Sequence, residues 1–185
     1  MWTRVLALSL LGLTCAAADP AHRVDVVVVN LPQLRPHDLS AALSTAARLY
    51  RTTPVRPHWI TQNTPYSKAL PGSAPKRLII LLDQPALTNF SVRDQTLGIA
   101  LSDRAFILLP RIQQLAAAKQ VPVSAILGVV IAHELGHLLL GPGHSPSGVM
   151  RPFCGHPEFD LAQRGQPGFS RHQARQMQAR LPLLR

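Results

Sequence analysis

The apolar positions divide the chain into alternating extended and helical pieces. RVDVVVVNL (23–31) is a β-branched run suited to a buried strand. HDLSAALSTAARLYR (37–51) carries Leu39, Leu43, Ala46, Ala47 and Tyr50 at helical spacing, which predicts a helix with one apolar side. VRPHWIT (55–61) reads as a second strand. KRLIILLDQ (76–84) reads as a third, so continuously apolar that burial on both faces is expected. The stretch between them, TQNTPYSKALPGSAP (61–75), is turn chemistry.

A strand, a helix and further strands in that order imply a right-handed crossover and a mostly parallel sheet with helices packed on it. The expected fold class is α/β (α+β). TLGIAL (96–101) and AFILLP (105–110), joined by Ser102, Asp103 and Arg104, look like a hairpin and would place one antiparallel strand at the edge of the sheet. RIQQLAAAKQ (111–120) predicts a short helix interrupted by Pro122, with Ser124 capping a longer helix over about 125–140 that Gly141 and Pro142 end. From there to Phe169 the chain reads as a loop rich in Gly and Pro. Ser170 then starts a final helix over 171–181, with Met177 and Leu181 on its apolar side.

A length of 185 residues fits one domain with a sizeable core. Residues 1–18 resemble a signal peptide: Arg4 is followed by an apolar run from Val5 to Leu13 and by Ala16, Ala17 and Ala18 at the exit. Cys15 follows Thr14, a poor match to the small residue that lipoprotein processing needs. The expected organisation is a cleaved leader at 1–18 and a single domain over 19–185 that is secreted or periplasmic. No later apolar run is long enough for a membrane helix, so no membrane association is expected once the leader is removed. Cys154 is then the one remaining cysteine, which excludes an internal disulfide. About four residues would precede the first strand, so the chain is expected to be active on folding.

The formal charge of +10 falls to about +9 without Arg4. The arginines are scattered singly, with no dense basic block and no interleaved aromatics. That pattern points to solubility and attraction to acidic surfaces, not to specific nucleic-acid recognition.

The densest chemistry is HELGHLLLGPGHSPSGVM (133–150), with three histidines, a glutamate, four glycines and a methionine. On a helix His133 and His137 lie on one face, one turn apart, where two imidazoles reach a single ion at roughly 2.0 to 2.1 Å. Glu134 lies beside a ligand and not one turn away, so its carboxylate approaches from the side, as a general base for water requires. Gly141 lets the helix stop sharply, and a chain folding back beneath it would bring in His144 as a third imidazole. Three histidines with an open fourth position suit catalytic zinc, whereas a closed set suits structural zinc. Ser147, Gly148, Val149 and Met150 form a tight turn whose methionine is placed to pack beneath the ligands.

These residues resemble the zinc signature of the metzincin metallopeptidases with their methionine turn. The matrix metalloproteinase type is the most similar, because Ser145 follows the third histidine and GVMRP follows shortly after. The likeness implies one catalytic zinc ion held by His133, His137 and His144, with Glu134 as general base and Met150 as the turn methionine. It implies a metzincin-like mixed sheet with an active-site helix and a C-terminal helix, and a peptide or protein substrate that adds as a strand beside Gly98, Ile99, Ala100 and Leu101. Arg151 and Pro152 stand where some relatives carry a tyrosine, so no phenol is available there to steady an oxyanion.

One departure from the family pattern matters. H-x-x-G-x-x-H becomes HLLLGPGH here, with one extra residue before the glycine. Either the helix runs one residue longer and the loop still delivers His144, or another group is the third ligand, for which His156, Glu158 and Asp160 are candidates. Cys154 is expected to be a buried or surface thiol, and His22, His37, His58 and His172 to be surface residues. The expected function is a zinc-dependent endopeptidase. A zinc-binding module without catalysis and a basic extracellular binding protein are the alternatives.

Overall fold

A computed structural model describes residues 21–63, 77–83, 95–152, 160, 164, 166 and 168–184. The leader (1–18), Cys154, His156 and Glu158 lie outside the described residues, as does most of the turn-rich stretch over 61–75.

The expected alternation of strands and helices is realised as a mixed α/β layer structure. Five strands, β1 (His22–Asn30), β2 (Val55–Gln62), β3 (Arg77–Leu82), β4 (Gly98–Leu101) and β5 (Arg104–Leu108), form one sheet in the order β2-β1-β3-β5-β4. Every neighbouring pair is parallel except β4 with β5, which are antiparallel, so Gly98–Leu101, last in the order, is an antiparallel edge strand. The hairpin turn is only Ser102 and Asp103, because Arg104 joins β5 and pairs with Leu101. Ser102 takes the tight corner at φ +51°.

Side chains alternate across β1. Val26 and Val28 face the main core with Ile79, Leu81, Ala105 and Ile107, while Val27 and Val29 join Leu78, Ile60 and Ile80 on the other face. The unbroken valine run is therefore buried on both sides, as parallel central strands require.

Four helices pack on the main core and each starts in a way its residues explain. Helix α1 (Pro36–Leu49) has Pro36 in its first turn, Asp38 at the positive end of its dipole and Arg48 at the negative end. Helix α2 (Leu109–Lys119) begins two residues before the expected Arg111, because the fixed φ of Pro110 suits a first turn better than the end of a strand. Helix α3 (Val123–Leu140) also begins earlier than expected. Its N-cap is Pro122, so Ser124 is already helical and its hydroxyl caps nothing. The final helix α4 (Arg171–Arg180) does start at Ser170 through a capping box: the hydroxyl accepts from the Gln173 N–H at 3.2 Å, and the Gln173 Oε1 accepts from the Ser170 N–H at 2.8 Å. A single 3₁₀ turn, Leu181–Leu184, follows it.

Apolar nearly all round, α3 is the central helix, and it touches α1, α2, α4, β4 and β5. Its approach to α1 depends on Gly128, where a Cβ would stand 2.6 Å from the Ala42 carbonyl oxygen and 2.6 Å from the Thr45 Cβ. Replacing Gly128 with Val should destabilise the fold by at least about 1 kcal/mol, in line with overpacked cores, despite the gain in helix propensity over glycine. Chemical denaturation checks this, and a variant as stable as the wild type would mean the two helices can separate without cost.

Candidate metal centre

The second half of α3 carries three polar side chains, His133, Glu134 and His137, among buried apolar ones. His133 and His137 project one turn apart, their ring centroids 4.7 Å from each other. After Leu140 the helix stops at Gly141, whose φ of +86° and ψ of −172° suit glycine alone, and Gly143 at φ +120° turns the chain again. The His144 ring thereby arrives 4.9 Å from that of His137 and 5.3 Å from that of His133. The extra residue before the glycine is thus taken up by the helix, and the loop still brings the third imidazole back. One ligand atom from each of His133, His137 and His144 lies within 4.8 Å of the other two.

Of the other candidates, Asp160 is the one among the described residues, and it does not join this cluster. Asp160 is more than half exposed and pairs with Arg164 at 3.9 Å. His37, His58 and His172 are exposed as expected, whereas His22 is half-buried, with its Nδ1 shielded from solvent.

Backbone carbonyls set the orientation of the two helical imidazoles. His133 donates from Nδ1 to the Val149 carbonyl at 2.7 Å, and His137 donates from Nδ1 to the Gly141 carbonyl at 3.3 Å. Each ring then carries its hydrogen on Nδ1 and offers a lone pair at Nε2, and the two Nε2 atoms stand 3.0 Å apart. Two acceptors this close repel unless a cation lies between them. A tetrahedral zinc ion with bonds of 2.0 to 2.1 Å sets its nitrogens about 3.3 Å apart, so the donor set and its spacing fit that ion. Burial lowers the pKa of His133 to about 4. The nearby His137 and His144 add to this, although the Val149 carbonyl opposes it. Burial likewise lowers His137. Both rings are therefore neutral at physiological pH, the form that binds metal.

Glu134 points the other way round the helix, toward the sheet edge. It is 4% exposed, and burial pushes its carboxyl up to about 8. Its Oε2 has no hydrogen-bond partner among the described residues. Its Oε1 lies against β4 so closely that a Cβ on Gly98 would stand 2.7 Å away. Left so, the buried carboxyl holds its proton at neutral pH, and a neighbouring cation is what would bring it into the charged form that a general base needs.

Met150 forms the floor. Buried at 2% exposure, it presses its Sδ onto Gly136, where a side chain has no room, and the Phe169 ring closes the same spot from the other side. Val149 and Met150 are thus fixed together, one to the imidazole of His133 and the other beneath the helix.

Sequence reasoning missed Gly136, Phe169 and the seat that Gly98 makes for Glu134. Gly136 carried a usable signal, since a glycine inside a helix costs about 1 kcal/mol against alanine and marks a close approach.

No protein-family model matches this sequence, and no curated protein does. Among solved structures, the chain resembles archaemetzincin from Methanopyrus kandleri at 18% identity and a TM-score of 0.51, over 90% of this chain and 99% of that one. It also resembles archaemetzincin from Archaeoglobus fulgidus, solved with malonate, at 13% identity and a TM-score of 0.49, over 84% of this chain and 99% of that one. The first likeness identifies the mixed sheet and its helices as an archaemetzincin-like fold.

Zinc at a hundred times its Kd should stabilise the chain by about 2.7 kcal/mol, and a chelator should reverse the gain. His144→Ala should weaken zinc binding at least about a hundredfold, beyond the loss typical of groups that only support a ligand. Asp160→Ala and Glu158→Ala should leave it unchanged. Calorimetric titration reads all three, and the reverse ranking would reassign the third ligand.

Proposed function

We propose that the chain is a zinc-dependent endopeptidase. The observation that carries this reading is the joint placement, by one buried helix and the loop that follows it, of three converging imidazoles and a buried carboxyl that faces the sheet edge with no partner among the described residues. The archaemetzincin-like fold supports it, as do Ser145 and GVMRP, which give the finer likeness to matrix metalloproteinases at motif level. The leader-like pattern of residues 1–18 supports a location outside the cytoplasm.

His133, His137 and His144 would hold the ion. When bound, it supplies a Lewis acid for the scissile carbonyl and for the attacking water. Glu134 takes the proton from that water and returns it to the leaving amine. Its seat against Gly98 keeps the carboxylate at the sheet edge, where an extended peptide adds as a strand beside Gly98–Leu101. Gly98 itself leaves room for that carboxylate, because any side chain there would displace it.

A zinc-binding module without catalysis is the second reading. The exposed position of His144, on a loop reached through a longer helix, is the observation that favours it.

Cleavage of a mixed peptide library by the zinc-loaded chain, beside a chelated sample and Glu134→Ala, separates the two. Glu134→Ala should keep its zinc and lose at least about a hundredfold in turnover, as removal of a general base does. Equal turnover in that variant would sink the mechanism. Retained zinc with no cleavage by the wild type would favour the binding module.

A further inference from the structure

A buried tyrosine that the proposed reaction does not use is tied to the backbone beside the metal centre. Tyr50, at the C-terminal end of α1, is 0% exposed, and its hydroxyl donates to the Ala132 carbonyl at 3.0 Å across 82 residues of sequence. Ala132 immediately precedes His133. The same end of α1 is joined to His133 by a second route. The Leu49 carbonyl accepts from the Gly168 N–H at 3.2 Å, the Gly168 carbonyl accepts from the Val149 N–H at 2.8 Å, and the Val149 carbonyl accepts from His133 Nδ1 at 2.7 Å.

These four hydrogen bonds and the peptide links Leu49–Tyr50 and Ala132–His133 form a closed ring. The ring passes through the backbone on one side of His133 and through its imidazole on the other. Its interior is filled: the Tyr50 and Phe169 rings lie 4.5 Å apart at 44°, and Phe169 reaches Gly136 beside Met150. Gly168 has no room for a side chain, since a Cβ there would stand 2.9 Å from the Leu49 Cβ.

We propose that Tyr50 is a positioning residue for the metal centre, holding α3 and the methionine turn in the one register in which His133 keeps its hydrogen on Nδ1 and its lone pair on the ion. The proposal rests on the zinc reading above but not on catalysis, since it concerns how the ligand is held. A closed ring has this effect because His133 cannot rotate or slide without breaking a bond in it, whereas an open chain of contacts yields at its loose end. Groups that orient a metal ligand through its second nitrogen typically change metal affinity 10- to 100-fold, and Tyr50 acts one step further out.

The test is zinc affinity, with the visible spectrum of the cobalt-substituted chain as a report on ligand geometry. Tyr50→Phe keeps the ring and its contact with Phe169 and removes only the hydroxyl. It should bind zinc about tenfold more weakly, and its cobalt bands should shift. Gly168→Ala, which breaks the ring at the far side, should do the same. Val27→Ala, on the opposite face of the sheet, serves as the control: it should lower Tm at least as much as Tyr50→Phe while leaving zinc affinity and the cobalt bands unchanged.

Zinc affinity within twofold of wild type in Tyr50→Phe would overturn the proposal. So would a loss in Val27→Ala as large as that in Tyr50→Phe, since affinity would then follow stability alone. A wild-type chain that binds no zinc would overturn the metal reading and this proposal together, whereas one that binds zinc and cleaves nothing would remove only the peptidase reading.

Discussion

His133 and His137 leave α3 one turn apart, and each gives its Nδ1 hydrogen to a backbone carbonyl, which turns both Nε2 lone pairs into the same 3.0 Å gap. Without a cation that arrangement is repulsive. Burial keeps both rings neutral at physiological pH, so the repulsion is not relieved by taking up protons. The Glu134 carboxyl is buried without a partner among the described residues, a second cost that a nearby cation would offset. Two separate penalties answered by one ion are stronger support for a metal centre than the spacing of the histidines alone.

The scaffold holds these penalties in place. A helix as apolar as α3 sits firmly in the core, and its glycines let neighbours approach until they cannot shift. Gly128 admits α1, Gly136 admits Met150 and Phe169, and Gly141 lets the chain reverse toward His144. The carbonyls that orient the imidazoles come from the segment that follows α3, so the loop is shaped together with the ligands and not merely attached to them. The edge strand β4 completes the site by giving Glu134 a wall without side-chain bulk.

Much of this was legible in the sequence where the signal is local and repeated. The valine run of β1, the apolar spacing of α1 and the start of the last helix at Ser170 each depend on residues close in sequence, and the structure has them where the pattern placed them. Helix starts were less legible, because two signals competed. Pro110 and Pro122 each open a helix, but a reading that treats proline as an interruption moves α2 to Arg111 and gives Ser124 a capping role it does not have. The histidine cluster could be anticipated from helix periodicity and the glycine that follows. The contacts that hold it could not, since Tyr50 with Ala132, Glu134 with Gly98 and Met150 with Gly136 join elements whose distance depends on the packed fold.

X-ray absorption of the zinc-loaded chain tests the central claim most directly, because it counts the atoms around the ion and identifies them. The account predicts three imidazole nitrogens and one water oxygen at about 2.0 to 2.1 Å, an open site of catalytic type. A sulfur at about 2.3 Å, or four ligands all from the protein, would contradict it and make the centre a structural one.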